Sequence, residues 1–202
     1  GVIVAVAYGN AYAEEMQEIA RPLLARLEIS GAALQVVSTL PEGVVLGTGL
    51  LTTLEGDSNE ARYLAGNASG IASFLAQPET GSAKHLLVLA SSPERVRWWM
   101  EQVALANESR GTPLTVSISV SASAGPRVAP YLETQDVQGW LVGFPDALAF
   151  RALEAAGDGS DLSALDGYRR IQDILLLGHW AAGAFLLIGL LVTPLTGKKG
   201  KP

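Results

Sequence analysis

The sequence predicts an α/β protein: a doubly wound, mostly parallel, five-stranded Rossmann-like sheet followed by one C-terminal transmembrane helix. Short apolar runs alternate with helical patterns through the first 156 residues, as expected for strands joined by helical crossovers. Three of the runs are almost continuously apolar, which is typical of strands covered on both faces. Later in the chain, Ile174–Thr193 contains no Asp, Glu, Lys or Arg, and its ~20 residues match the thickness of a bilayer.

Five segments are predicted to be strands because they are short, apolar and bounded by turn residues. They are Val2–Ala7, Ala33–Val37, Leu86–Ala90, Leu114–Val120 and Val137–Val142. The fourth alternates apolar with hydroxyl-bearing residues, so we expect its hydroxyl face to be less completely covered.

Helical patterns lie between and after these strands. Glu14–Leu27 has an apolar stripe at helical spacing and an acidic first turn, although Pro22 predicts a kink or a break. Ser92 precedes proline and glutamate, which is the pattern of a capped helix start. Two more helices are predicted at Pro126–Glu133 and Asp146–Ala155.

Two central segments leave alternatives open. Val44–Leu54 is compatible with either a helix or a strand. The stretch RYLAGNASGIASFL, Arg62–Leu75, is either a phosphate-cradling loop or a tight turn into a packed helix. It lacks lysine and follows none of the predicted strands, so we favour the tight turn, with Asn67 or Ser69 as the helix cap. The less favoured alternative is that the backbone N–H groups of this stretch bind a small ligand.

The chain is predicted to contain an α/β domain at 1–156, an acidic linker at 157–168, a transmembrane helix at 169–196 and a basic tail at 197–202. The linker aspartates hint at calcium, but their spacing lacks the ligand ladder of an EF-hand. The tail lysines favour a cytoplasmic tail and an extracytoplasmic domain.

The predicted membrane helix has a face of small residues. Gly178, Ala182 and Gly189 fall near one side, where another helix can approach closely. The expected partners are therefore the lipid bilayer and other membrane protein subunits. His179 is either a cofactor ligand or, as we favour, an interfacial or helix–helix contact.

Composition excludes several classes of function. The net charge of −6 disfavours binding to nucleic acid. The absence of cysteine removes disulfides, thiolate catalysis and cysteine zinc sites.

The turn after the first strand, AYGNAYAEEM, has one glycine rather than a dinucleotide fingerprint. The two histidines, His85 and His179, fall outside the predicted crevice. We therefore predict no cofactor, no metal site and no catalytic residue.

Ligands of open α/β sheets bind beyond the carboxyl ends of the strands. Six polar residues near that edge are the candidate ligand-binding residues: Asn10, Ser38, Asn67, Ser69, Ser92 and Asp146. The competing interpretation, which we favour, is that they are turn and capping residues, because the same positions require such side chains.

Four stretches carry a resemblance to a protein family: EEMQEIARPLLARL, YLAGNASGIASF, LVLASSPERVRWWMEQV and RVAPYLETQDVQGWLVGFPDALAFRAL. The chain resembles an uncharacterised family of bacterial membrane-anchored α/β-domain proteins with no assigned activity. The resemblance implies the topology, the bacterial cytoplasmic membrane as location, and a membrane segment that precedes Gly1.

The leading hypothesis is a membrane-anchored, non-enzymatic α/β domain that serves as a subunit or accessory of a larger membrane assembly. The second is an extracytoplasmic module that binds a small ligand. The third is a hydrolase, with Ser92, Asp146 or Tyr131 as its candidate residues.

Overall fold

The computed structural model describes residues 1–54, 60–132 and 137–155. The chain divides into two compact units, Gly1–Ala147 and Leu148–Pro202. The predicted transmembrane helix, with Gly178, Ala182 and Gly189, lies outside the described residues. Within those that are described, no helix combines the length and the apolar character that a bilayer crossing requires.

The first unit contains a parallel sheet, and each predicted strand is confirmed to within one residue. The strands are β1 (Val2–Ala7), β2 (Leu34–Ser38), β3 (Arg62–Tyr63), β4 (His85–Ala90), β5 (Thr115–Val120) and β6 (Val137–Val142). Their spatial order is β3-β2-β1-β4-β5-β6. This is the strand order of a Rossmann fold, whose direction of winding reverses between β1 and β4.

Helices follow the strands. They are α1 (Ala13–Ile29), α2 (Pro41–Leu51), α3 (Ala68–Leu75), α4 (Pro93–Asn107), α5 (Gly125–Leu132) and α6 (Gly143–Ala155). One apolar cluster joins α3, α4 and α5 to the sheet, and another joins α1 and α2 to it. Because the clusters use alternate residues of the central strands, the sheet is covered on both faces, and the doubly wound α/β fold is confirmed.

The predicted count of five strands is wrong, because β3 adds a sixth. Arg62 and Tyr63 are both exposed, and they pair with Val37 and Ser38 of β2. A two-residue edge strand has no buried face and therefore no apolar alternation to reveal it. The ambiguous segment 44–54 is mainly helical, within α2.

Pro22 does not break α1, which runs without interruption from Ala13 to Ile29. Buried residues lie on both sides of the proline, including Ile19 and Leu24. Their burial against the sheet holds both halves of the helix, since tertiary packing outweighs local propensity in most helices.

The tight turn into α3 is present as predicted. Gly66 and Asn67 both have positive φ, 97° and 52°, and a side chain at Gly70 would collide with the backbone carbonyl of Ala65. Asn67 occupies the N-cap position, but its side chain makes no capping hydrogen bond. Ser69 lies inside the first turn and donates to the Gly66 carbonyl at 2.8 Å. Backbone conformation, rather than a side-chain cap, therefore starts this helix.

Candidate functional site

The carboxyl edge of the sheet is held together by the protein's own carboxylates. Glu42, in the first turn of α2, accepts a hydrogen bond from the backbone N–H of Asn10 at 3.1 Å. Glu15, in the first turn of α1, accepts one from the N–H of Ala122 at 2.8 Å. Both bonds join segments that are distant in sequence, so they fix the loops that surround the crevice.

The Glu42 contact lies at the turn between β1 and α1. In a Rossmann domain, the pyrophosphate of a dinucleotide approaches this turn and the start of the following helix. Here a side chain at Gly9 would touch the Glu42 carboxylate. A phosphate at this turn would meet a carboxylate of the same charge and would have to displace it.

An open groove of about 870 Å³ lies farther along the edge, beyond the ends of β4 and β5. The first turns of α4 and α5 form its walls. Its polar lining includes Tyr12, Ser92, Glu94, Arg97, Ser123, Arg127 and Tyr131. This volume is in the range of small-molecule sites in proteins.

Two guanidinium groups give the groove its chemical character. Arg97 is 3.8 Å from the Glu101 carboxylate, and both side chains are about half exposed, so this pair is weak. Arg127 lies in the first turn of α5, and no described residue makes an ion pair or hydrogen bond with its side chain. A cation is unfavourable at a helix N-terminus, where the macrodipole is positive. An anion in the groove would relieve that repulsion.

Hydroxyl groups border the same space. Ser92 caps α4 as predicted, because its Oγ accepts a long hydrogen bond from the backbone N–H of Arg95 at 3.4 Å. Among the described residues, the Ser92 hydroxyl has no acceptor for its own proton. Ser123 lies 3.1 Å from the buried Ser121 hydroxyl, which in turn donates to the Ser91 carbonyl. The groove therefore offers hydroxyl donors beside its two arginines.

Among the six candidate ligand-binding residues, Ser92 is the one that lines this groove. Ser38 is buried; it donates to the Val6 carbonyl at 2.5 Å and accepts from the Leu40 N–H at 3.0 Å. The N–H of Asn10 is bound to Glu42. Asp146 accepts from the N–H of Val142 at 2.7 Å, so it belongs to the turn after β6. Asn67 and Ser69 belong to the turn that begins α3.

The three hydrolase candidates are also separated. Ser92 and Tyr131 line the groove, whereas Asp146 is not among its lining residues. The groove residues that the sequence reasoning missed are Arg97 and Arg127. The sequence did contain a signal for Arg127. It is the second residue of the predicted helix Pro126–Glu133, which follows a predicted strand, and the first turn of a helix usually carries acidic rather than basic residues.

Tyr8 directly follows β1 and is completely buried. Its hydroxyl has no hydrogen-bond partner among the described residues. Burial strongly raises the pKa of Tyr8, and the nearby Arg21 opposes that shift only in part. Tyr8 is therefore a neutral, packed side chain rather than a base.

Within the described ranges, no group of histidine and acidic residues is arranged to hold a metal ion. Comparisons with protein families, with curated proteins and with solved structures gave no match to this chain. The structure by itself establishes an α/β, Rossmann-like domain with a polar, arginine-bearing groove at the carboxyl edge of its sheet.

Proposed function

We propose that the α/β domain is a binding module for a small anionic molecule, held in the groove between the first turns of α4 and α5. Arg127 carries the proposal, because a guanidinium without a described partner lines the groove at a helix N-terminus. A carboxylate or phosphate group there would satisfy the cation and the helix dipole together. This develops the second of the sequence-based hypotheses and moves its site away from Asn10, Ser38 and Asp146.

The opposite wall supplies a second cation. Arg97 lies on α4, about one turn beyond the Ser92 cap, and lines the groove. Its ion pair with Glu101 is long, at 3.8 Å, and weak, so a bound anion can replace Glu101 as its partner. Glu94 adds one carboxylate to the lining, which disfavours a densely charged ligand such as a triphosphate. The groove therefore suits a molecule with one or two acidic groups.

Isothermal titration with inorganic phosphate and succinate tests this function. We expect binding that weakens as salt is added, and an affinity at least tenfold lower in Arg127→Gln. The matched control is Arg26→Gln, which removes the same charge from the last turn of α1, at the far end of that helix. The proposal is overturned if neither anion binds, or if both variants lose affinity equally.

We also propose, from the sequence of Ile174–Thr193, that the domain is carried by a membrane helix and associates with other membrane subunits. Exposed aromatic side chains at the β6–α6 corner are compatible with a protein partner: Trp140 and Phe144 are 51% and 43% exposed. Purification of the full chain in mild detergent tests this role. We expect a defined complex that weakens in Trp140→Ser, and a monomer without partners would contradict the proposal.

A further inference from the structure

A second polar cluster lies within the sheet, away from the groove. Three side chains on the amino-terminal halves of β4 and β5 form a chain of hydrogen bonds. His85 Nδ1 is 2.7 Å from Thr115 Oγ1, and His85 Nε2 is 3.0 Å from Ser117 Oγ. The arrangement follows from strand register, because His85 is opposite Thr115 and Ser117 is two residues further along the same face.

The partners of Thr115 assign the histidine tautomer. The Thr115 hydroxyl donates to the backbone carbonyl of Lys84 at 3.1 Å, so its oxygen is left to accept the Nδ1 proton of His85. The Nε2 lone pair then faces the Ser117 hydroxyl proton. Burial lowers the pKa of His85, which keeps the ring neutral near pH 7. A neutral, oriented imidazole beside a hydroxyl is the geometry of a general base and its nucleophile.

Gly139 leaves space beside this hydroxyl. It pairs with Ser117 in the β5–β6 register. Among the described residues, a Cβ added at Gly139 would have only the Ser117 Oγ within 4 Å, at 3.9 Å. His85, Ser117 and Gly139 are all partly exposed. A small reagent can therefore reach the Ser117 oxygen from the side of β6.

We propose that Ser117 is an activated nucleophile, with His85 as its general base, that accepts the acyl group of a small activated ester. The Ser117 Oγ bonds to the carbonyl carbon while its proton passes to His85 Nε2. The carbon–oxygen bond to the leaving alcohol then breaks, and the alcohol takes the proton from Nε2. The product is acyl-Ser117 with neutral His85. This inference goes beyond the anion-binding function and does not rest on it.

The position of Ser117 also limits the reaction. It lies in mid-strand, where backbone N–H groups serve the ladders of a parallel sheet, whereas the helix N-termini lie at the carboxyl edge. A negatively charged tetrahedral intermediate would thus lack the preorganised donors that make hydrolases fast. We expect one slow acylation for each chain and little turnover.

Incubation with p-nitrophenyl acetate, followed by intact mass and peptide mapping, tests the proposal. We expect one acetyl group on Ser117, formed at least tenfold more slowly in His85→Gln. The rate should be unchanged in Ser109→Ala, which alters an exposed serine just after α4. The wild-type rate should rise with pH through a midpoint below 6.5, as the lowered pKa of His85 requires. Acetylation confined to lysines and the N-terminus would overturn the proposal, as would an equal rate in His85→Gln.

Two further variants keep the test decisive if the histidine variant does not fold. Gly139→Val fills the space beside Ser117 without changing the hydrogen-bonded chain, so it should block acetylation of Ser117. Thr115→Val removes the group that positions His85, and it should shift the pH midpoint as well as slow the reaction. Undiminished labelling in Gly139→Val would show that reagents do not approach as proposed.

Discussion

The carboxylate of Glu42 and the backbone N–H of Asn10 are joined by a 3.1 Å hydrogen bond that connects α2 to the turn after β1. We expect Glu42→Ala to lower the free energy of unfolding by about 0.5–1 kcal/mol, as for the loss of an exposed helix-capping carboxylate. Urea denaturation at pH 7 measures the change.

A double-mutant cycle with Gly9 tests whether that loss reflects this contact. An alanine side chain at Gly9 would meet the Glu42 carboxylate, while the backbone at Gly9, with φ of −106°, accepts alanine without strain. We expect Gly9→Ala to push the carboxylate away and cost about as much as Glu42→Ala. The double variant should lose little more than either single one, and additive losses would contradict the assignment.

The close approach at Gly70 predicts a large effect from one methyl group. We expect Gly70→Ala to lower the free energy of unfolding by about 1–3 kcal/mol, because the methyl group would collide with the fixed carbonyl of Ala65. Gly49→Ala is the matched control: it is also within a helix, but the added Cβ would have no described atom within 4 Å. It should stabilise the protein by up to about 1 kcal/mol. Equal effects in the two thermal melts would contradict this account.

The buried hydroxyl of Tyr8 predicts a loss of stability at high pH. Burial raises the pKa of Tyr8 above its ordinary value of 10.0, so above pH 10 the unfolded chain releases this proton while the folded protein keeps it. Stability should then fall by at most about 1.4 kcal/mol per pH unit from this group. Urea denaturation from pH 8 to 11 should show a steeper fall in the wild type than in Tyr8→Phe.

Tyr8→Phe also has a predicted effect at neutral pH. It removes a buried hydroxyl that has no partner among the described residues, so we expect unchanged stability or a gain of about 1 kcal/mol. A clear loss would mean that this hydroxyl forms a hydrogen bond in solution.

His85 predicts the opposite dependence on pH. Burial lowers the pKa of His85 below its ordinary value of 6.5, so below pH 6.5 the unfolded chain takes up a proton that the folded protein binds less readily. Stability should decrease as the pH falls from 6.5 towards the folded pKa. In His85→Asn this part of the dependence should disappear, which denaturation curves at pH 5, 6 and 7 will show.

The sheet could be predicted where burial leaves an apolar pattern. Strands β1 and β4 are central and covered on both faces, so their continuous apolar runs marked them. Strand β3 could not be found this way, because both of its side chains are exposed and neither contributes to an apolar pattern. The break that was one alternative at Pro22 is absent for a related reason. The local cost of proline is outweighed by tertiary packing, which the local sequence does not show.

The site was harder to predict than the fold. The sequence drew attention to serines and asparagines after the strands as ligand-binding candidates. The hydroxyl of Ser38, however, is occupied by hydrogen bonds to the backbone of Val6 and Leu40. Glu15 and Glu42 accept hydrogen bonds from loops that are distant in sequence. Which loops are neighbours is determined by the order of strands in the sheet, and the local sequence pattern does not show that order. The contact between His85 and Ser117 could not be predicted either, because it depends on the register of β4 against β5, two strands about 30 residues apart in the chain.

The parallel pairing of β1 with β4 constrains the order in which the chain can fold. Val2 is paired with His85 and Ala7 with Ala90, so the centre of the sheet closes only after a long intervening segment has been organised. Loop-closure entropy of this kind slows folding, since distant contacts form late. During synthesis, β1 emerges before β4, so the edge of β1 that pairs with β4 stays unpaired until β4 has left the ribosome.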